Sequence, residues 1–94
     1  MPRAILVSPK DNVCVAVEPV KKGDEIIIED AGDSPIVLVA ATDIPIYHKA
    51  ALFEINKGAS VIKYGEEIGL ATADIPKGSH VHVHNVESRS LFTQ

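Results

Sequence analysis

The sequence predicts a small all-β domain, and three observations lead to that class. Val, Ile and Ala are abundant, aromatic residues are 4% of the chain and Trp is absent. Six glycines and six prolines are spread along the length, too evenly for a helical bundle. Short β-branched runs alternate with turn signals, and one segment alone offers a helical alternative. Ninety-four residues form one domain, 1–94, large enough for a modest core and too small for a large buried cleft of its own.

Taken in order, Arg3 to Val7 is a β-type run, ended by Ser8-Pro9-Lys10-Asp11-Asn12, where Pro9 fixes φ and the Asp11 and Asn12 side chains bond nearby backbone. Val13 to Val17 is a second strand, apolar on both faces and therefore central. After the turn Pro19 to Gly23, Asp24 to Glu29 makes a third strand around Ile26-Ile27-Ile28. A loop, Ala31 to Pro35, leads into a fourth, Ile36 to Ala40. Lys49 to Ile55 is open between two helical turns and a strand, because Gly58 and the β-branched run behind it limit any helix. The polar end of the chain, 88–94, is a candidate flexible tail or a join to a further segment.

A turn-to-strand unit recurs: Val20-Lys21-Lys22-Gly23, Ile44-Pro45-Ile46-Tyr47, Ile55-Asn56-Lys57-Gly58 and Ile75-Pro76-Lys77-Gly78 each precede a β-type run. Three carry Gly where a turn needs positive φ; the second carries Tyr47. Ala41-Thr42-Asp43-Ile44-Pro45 resembles Ala73-Asp74-Ile75-Pro76, and both lead to a histidine, His48 or His80.

Nine basic against thirteen acidic residues give a net charge of −4 with no basic cluster beyond Lys21-Lys22, which argues against nucleic acid as a partner. The single Cys14 lies in an apolar run and reads as a core residue in a reducing compartment. No apolar run approaches a membrane span or a secretory signal, so a cytoplasmic protein with no membrane partner is expected.

The stretch Gly78 to Asn85 contains His80, His82 and His84. On a strand, a period of two places these three on one face with Val81 and Val83 packed beneath. Imidazole is the commonest metal ligand and titrates nearest neutrality, so such a row suits metal binding or proton movement. A solvated polar face on a half-buried strand is the plainer alternative.

Asp11-Asn12-Val13, His48-Lys49, Ile62-Lys63-Tyr64-Gly65-Glu66, Gly69, Ala71-Thr72 and Gly78 through His80-Val81-His82-Val83-His84-Asn85-Val86 together resemble the small N-terminal domain of the altronate and galactarate dehydratase family. The same unit is similar to the small subunit of the sulfolactate sulfo-lyases. The resemblance spans roughly residues 10–87 and implies a SAF-like domain of the β-clip type. It also implies a role as small subunit of a sugar-acid dehydratase, a hydro-lyase, acting with a larger catalytic subunit on a small-molecule sugar acid. A divalent metal, iron(II) or manganese(II), is implied, with the large subunit as its main holder in one version.

Carried onto matching positions, the resemblance makes His48 and His82 the candidate catalytic residues and Lys49, Lys63 and Asn85 the candidate substrate-binding residues. His80, His82 and His84 are the candidate metal ligands, and His48 stays open between base and ligand. Tyr47 departs from the family's glycine before the His-Lys pair. Three other readings stand beside the dehydratase subunit. They are the small subunit of a sulfolactate-type sulfo-lyase, a free-standing carbohydrate- or anion-binding module, and a β domain that forms homo-oligomers through strand edges.

Overall fold

Strands short enough to end at each Gly or Pro signal are what the chain builds. The computed structural model describes residues 1–29 and 36–88, and among them there are nine strands and no helix. They are β1 (Arg3–Ile5), β2 (Val13–Ala16), β3 (Glu25–Glu29), β4 (Ile36–Val39), β5 (Lys49–Ala51), β6 (Ser60–Lys63), β7 (Glu66–Ala71), β8 (His80–Val81) and β9 (Val86–Ser88). The first four fall inside the runs the sequence marked. The helix-or-strand choice after His48 resolves as strand β5. The loop expected over Ala31–Pro35 and most of the expected tail lie outside the described residues, while Ser88 closes β9.

Six strands form one sheet in the order β4-β3-β1-β2-β5-β8, and β6-β7-β9 form a second. All pairings are antiparallel except β1 with β3. The apolar character of β2 on both faces has a structural cause. Cys14 and Ala16 enter a core with Ile26, Ile28, Leu38 and Ile44, whereas Val13 enters a second core with Ile55, Val61, Ile75 and Val81. In β5, Ala50 and Ala51 divide between the same two cores. A strand held between two apolar clusters must be apolar at successive positions, and burial of each large side chain contributes about 1.5–3 kcal/mol.

The recurring turn is real in three dimensions. Val20 and Ile44 exchange both backbone hydrogen bonds at 2.9 Å, and Ile55 and Ile75 do so at 2.9 and 2.7 Å. The Asp43 carboxylate accepts the Lys22 amide at 2.8 Å, as Asp74 accepts that of Lys57 at 2.8 Å. All four turns place a residue at positive φ: Gly23 (92°), Tyr47 (68°), Gly58 (87°) and Gly78 (85°). Tyr47 thus occupies a glycine's conformation, with its side chain 71% exposed.

Asp11 and Asn12 tie the sheets together. The buried Asp11 carboxylate accepts the amides of Ser8, Tyr64 and Gly65 at 2.8–3.2 Å, which fixes the two-residue β6–β7 hairpin. Tyr64 (58°) and Gly65 (78°) both have positive φ there, as a type I′ turn requires. The Asn12 amide donates to the Ser60 carbonyl at 2.9 Å and accepts the Ile62 amide at 2.8 Å.

One expectation fails. β8 ends at Val81, and His82 to Asn85 form a turn, so the histidines do not line a strand face. Val81 is fully buried, but Val83 is 81% exposed. The Asn85 side chain competes with strand pairing here, accepting the His82 amide at 3.0 Å and donating to the His80 carbonyl at 2.9 Å.

Candidate functional site

The edge of the six-stranded sheet brings the histidines together by another route. β5 pairs antiparallel with β8, setting Ala50 opposite His80 and Lys49 opposite Val81. His48, at the end of the second repeat turn, is fixed by its amide to Pro45 (3.1 Å) and by its carbonyl, which accepts the Ala16 amide at 2.9 Å. His80 begins β8, and its amide donates to Thr42 Oγ1 at 3.0 Å. The turn clamped by Asn85 then folds His82 back over His48, and a third bond, Asn85 N to His82 O at 3.1 Å, closes it.

The result is a stacked cluster of four imidazoles in which His48, His80 and His82 form a triangle, the His80 and His82 rings lying 5.6 Å apart, and His84 packs against His80. Ring centroids are 4.2 Å apart for His48 and His82, 5.0 Å for His48 and His80, and 5.0 Å for His80 and His84. His48 Nδ1 lies 2.8 Å from His80 Nε2, a hydrogen bond in which one imidazole is the donor and the other the acceptor. A donor nitrogen from each of His48, His80 and His82 lies within 4.8 Å of the others, and among the described residues this is the one group of three suited to a metal ion. His84 lies at the exposed end of the stack. The sequence placed His84 in the ligand set and left His48 open; the structure groups His48 with His80 and His82 and sets His84 beside them.

Burial and neighbouring charge favour the neutral form of two of the rings. Burial, then the neighbouring His84, His48, His82 and Lys49, lowers the His80 imidazole from 6.5 to about 4. Loss of solvent around the half-buried His82 ring lowers it as well, with His48, Lys49 and His84 adding to the effect. Neutral imidazoles retain the lone pairs that coordination or proton acceptance needs. Lys49 is also lowered, first by burial and then by Lys63. Lys63 Nζ lies 4.8 Å from the Tyr64 ring centroid, within cation–π range. Lys49 thus lies near the imidazoles, and Lys63 lies near Lys49.

Both ends of the Asn85 amide hold the histidine turn, and the residue also lines a depression with Thr42, Ser79, His80 and His84. Thr42 and Ser79 were not among the sequence candidates. Thr42 anchors His80, and Ser79 lies at the buried start of the histidine segment. The likeness of Ala41-Thr42-Asp43-Ile44-Pro45 to the later repeat was the signal that pointed to that turn. Cys14 is buried, with its Sγ 3.8 Å from the Ala50 carbonyl, and burial pushes its thiol up to about 12, so it is an inert core residue.

A family model for the altronate/galactarate dehydratase SAF domain matches residues 2–89. Altronate dehydratase of Escherichia coli (strain K12) is 40% identical over 84 residues, which is 89% of this chain and 16% of that protein. Altronate dehydratase of Bacillus subtilis (strain 168) is 34% identical with the same coverage of 89% and 16%. The (2R)-sulfolactate sulfo-lyase subunit alpha of Paracoccus pantotrophus is 41% identical over 64 residues, 68% of this chain and 96% of that subunit. The chain therefore spans a small part of the dehydratases it matches and nearly all of the sulfo-lyase subunit.

Proposed function

The chain belongs to the altronate/galactarate dehydratase SAF-domain family, and on that premise we propose that it is the small component of a sugar-acid dehydratase, working with a larger catalytic chain. The observation that carries this reading is the grouping of three imidazoles, His48, His80 and His82, with Lys49 at the β5–β8 edge, and with Lys63 of β6 close enough to Lys49 to lower it. Dehydration of a sugar acid removes a proton beside a carboxylate and expels a hydroxyl group. It needs a carboxylate anchor, a base and an acid in one place. Lys49 and Lys63 bind the carboxylate. The hydrogen-bonded pair His48–His80 accepts and passes on a proton, and His82, stacked on His48, orients that ring.

In place of that proton relay, His48, His80 and His82 would hold the divalent ion implied by the family, their lone pairs then being committed to the ion and proton acceptance falling to groups of the larger chain. The donor set fits: three nitrogens within 4.8 Å can close on one centre by small ring rotations. Three imidazoles without a carboxylate suit iron(II) better than manganese(II), which prefers oxygen ligands. Such an ion supplies Lewis-acid stabilisation of the charge that develops on the substrate.

The test is anaerobic calorimetry of iron(II) and manganese(II) binding to the chain. Iron binding is expected to be lost in the double variant His48→Ala/His82→Ala and retained in His84→Ala, with amide NMR spectra showing both folded. Loss on His84→Ala alone, or undiminished binding by the double variant, would overturn the assignment.

A sulfo-lyase subunit is the second reading, favoured by the match across 96% of the Paracoccus protein. The same carboxylate anchor and base serve there, with a different leaving group. Co-purification with the larger chain, followed by assays on altronate, galactarate and (2R)-sulfolactate, separates the two.

A further inference from the structure

At the end of the six-stranded sheet opposite the histidines, β4 pairs with β3 alone. The Ala40 amide donates to the Asp24 carbonyl, so the antiparallel alternation gives Ile36 and Leu38 the hydrogen bonds to β3 and turns the N–H and C=O groups of Val37 and Val39 outward. Among the described residues nothing bonds to the backbone of Val37 on that side. The two valines are 52% and 57% exposed, and no charged residue or proline interrupts Ile36–Val39. Natural sheets usually blunt an open edge with such residues.

Taking the chain as the small component of a larger enzyme, as above, we infer that this edge takes an extended segment of the larger chain by strand addition. An added strand sends alternate side chains to opposite faces, and β4 has a depression on each. One, about 310 Å³, is lined by Ile36 and Leu38 together with Leu6, Leu52 and Phe53. The other, about 320 Å³, lies at Val37 and Val39. Lys77 borders both, is exposed, and makes no ion pair among the described residues. Asp11, the acidic residue at the first depression, has its carboxylate committed to the amides of Ser8, Tyr64 and Gly65. The edge thus specifies its occupant by chemistry: backbone groups for Val37, apolar side chains for both faces and a carboxylate for Lys77. A lipid or a small apolar molecule leaves the Val37 backbone groups unused.

Two considerations select the larger chain over a second copy. β4 has no carboxylate, so pairing β4 with its own copy brings nothing to Lys77. A four-residue strand also falls far short of the roughly 20 residues a side that a stable interface uses, so the segment belongs to a partner held at other points as well. In the dehydratases similar to this chain the match covers 16% of the protein, and the remainder is long enough to supply such a segment.

The experiment is amide NMR of the isotopically labelled chain titrated with the peptide acetyl-Glu-Val-Leu-Val-Glu-amide. The Val37 and Val39 amides are expected to shift with a Kd of about 1 mM, and N-methylation of the three central residues to weaken the peptide at least about tenfold. Val37→Pro removes the outward N–H without touching the β3 ladder, so this variant is expected to fold and to lose the peptide. Lys77→Gln is expected to weaken it about threefold, while Lys57→Gln, at the same position of another repeat turn, leaves it unchanged. No shift up to about 10 mM peptide, or wild-type affinity in Val37→Pro or for the N-methylated peptide, would overturn the inference. Equal affinities in the two lysine variants would overturn the acidic occupant, and a dimer in sedimentation that Val37→Pro abolishes would make a second copy the occupant instead. Calorimetry with the larger chain separates this inference from the reading beneath it. No binding by wild type sinks the small-component reading, whereas equal binding by wild type and Val37→Pro sinks strand addition alone.

Discussion

The two repeats share their backbone but not their surroundings. Val20 bonds to Ile44 as Ile55 bonds to Ile75, and Gly23 N donates to Ala40 O as Gly58 N donates to Ala71 O, both at 2.8 Å. Asp43 and Asp74 cap equivalent amides. The strand packed beside each repeat differs. The first repeat abuts β8 with its histidines, and the second abuts β9, with Glu87 and Ser88. Backbone geometry is thus set by a repeated device, while chemistry is set by the neighbouring strand. The histidine stack forms because β5, leaving the first repeat, pairs with β8, leaving the second.

The sharpest way to break the equivalence is at the glycines. Gly58 and Gly78 have nearly the same φ, 87° and 85°, yet a Cβ at Gly58 meets nothing within 4 Å. At Gly78 a Cβ would overlap the Val39 carbonyl oxygen and press on the Ala41 amide nitrogen at 3.2 Å. Gly58→Ala is expected to lose about 1–2 kcal/mol from the left-handed conformation alone. Gly78→Ala adds a backbone clash, for a total of about 2–5 kcal/mol. Urea unfolding of the pair checks this, and equal losses would mean that the β4 end yields freely.

His80 gives the next largest effect, at the position that Glu87 takes beside the second repeat. In the unfolded chain this imidazole takes up its proton near 6.5, and in the folded chain only near 4. Between those values the unfolded state binds more protons. The contribution to stability is therefore fully present above 6.5 and is lost as pH falls towards 4. The ring is partly exposed, so solvent screening reduces the effect to about 1–2 kcal/mol. His80→Gln should flatten the stability-pH curve over that interval relative to wild type. Parallel curves for the two proteins would show that the imidazole is not held neutral by its neighbours.

The first four strands were legible in the sequence because Gly, Pro or Asp-Asn signals bound their apolar runs, whereas β7 (EEIGLA) and β9 (VES) carry too few β-branched residues to announce themselves. The repeat was legible too, from Ile-Pro and Lys-Gly, although the parallel β1–β3 pairing was not. Parallel partners here are separated by β2, and no local pattern encodes which strands meet. At the site, the residue types were visible and their grouping was not. His48 joins His80 through strand pairing across 32 positions. Alternation of His and Val over His80 to His84 imitates a strand, but Asn85 turns the chain. A single side chain that bonds the amide of His82 and the carbonyl of His80 outweighs the β propensity of two valines.

Val83 measures that last contrast with the smallest expected effect. Val81 and Val83 have the same neighbours in sequence, yet one is fully buried and the other is 81% exposed. Had the strand continued, Val83→Asp would place an unpaired carboxylate in the core and remove several kcal/mol. With the turn in place the new carboxylate stands in solvent, and the change in stability is expected to stay within about 0.5 kcal/mol. Urea midpoints for wild type and Val83→Asp decide between the two geometries. A loss above about 2 kcal/mol would restore the continuous strand, and with it a histidine row in which His84, rather than His48, accompanies His80 and His82.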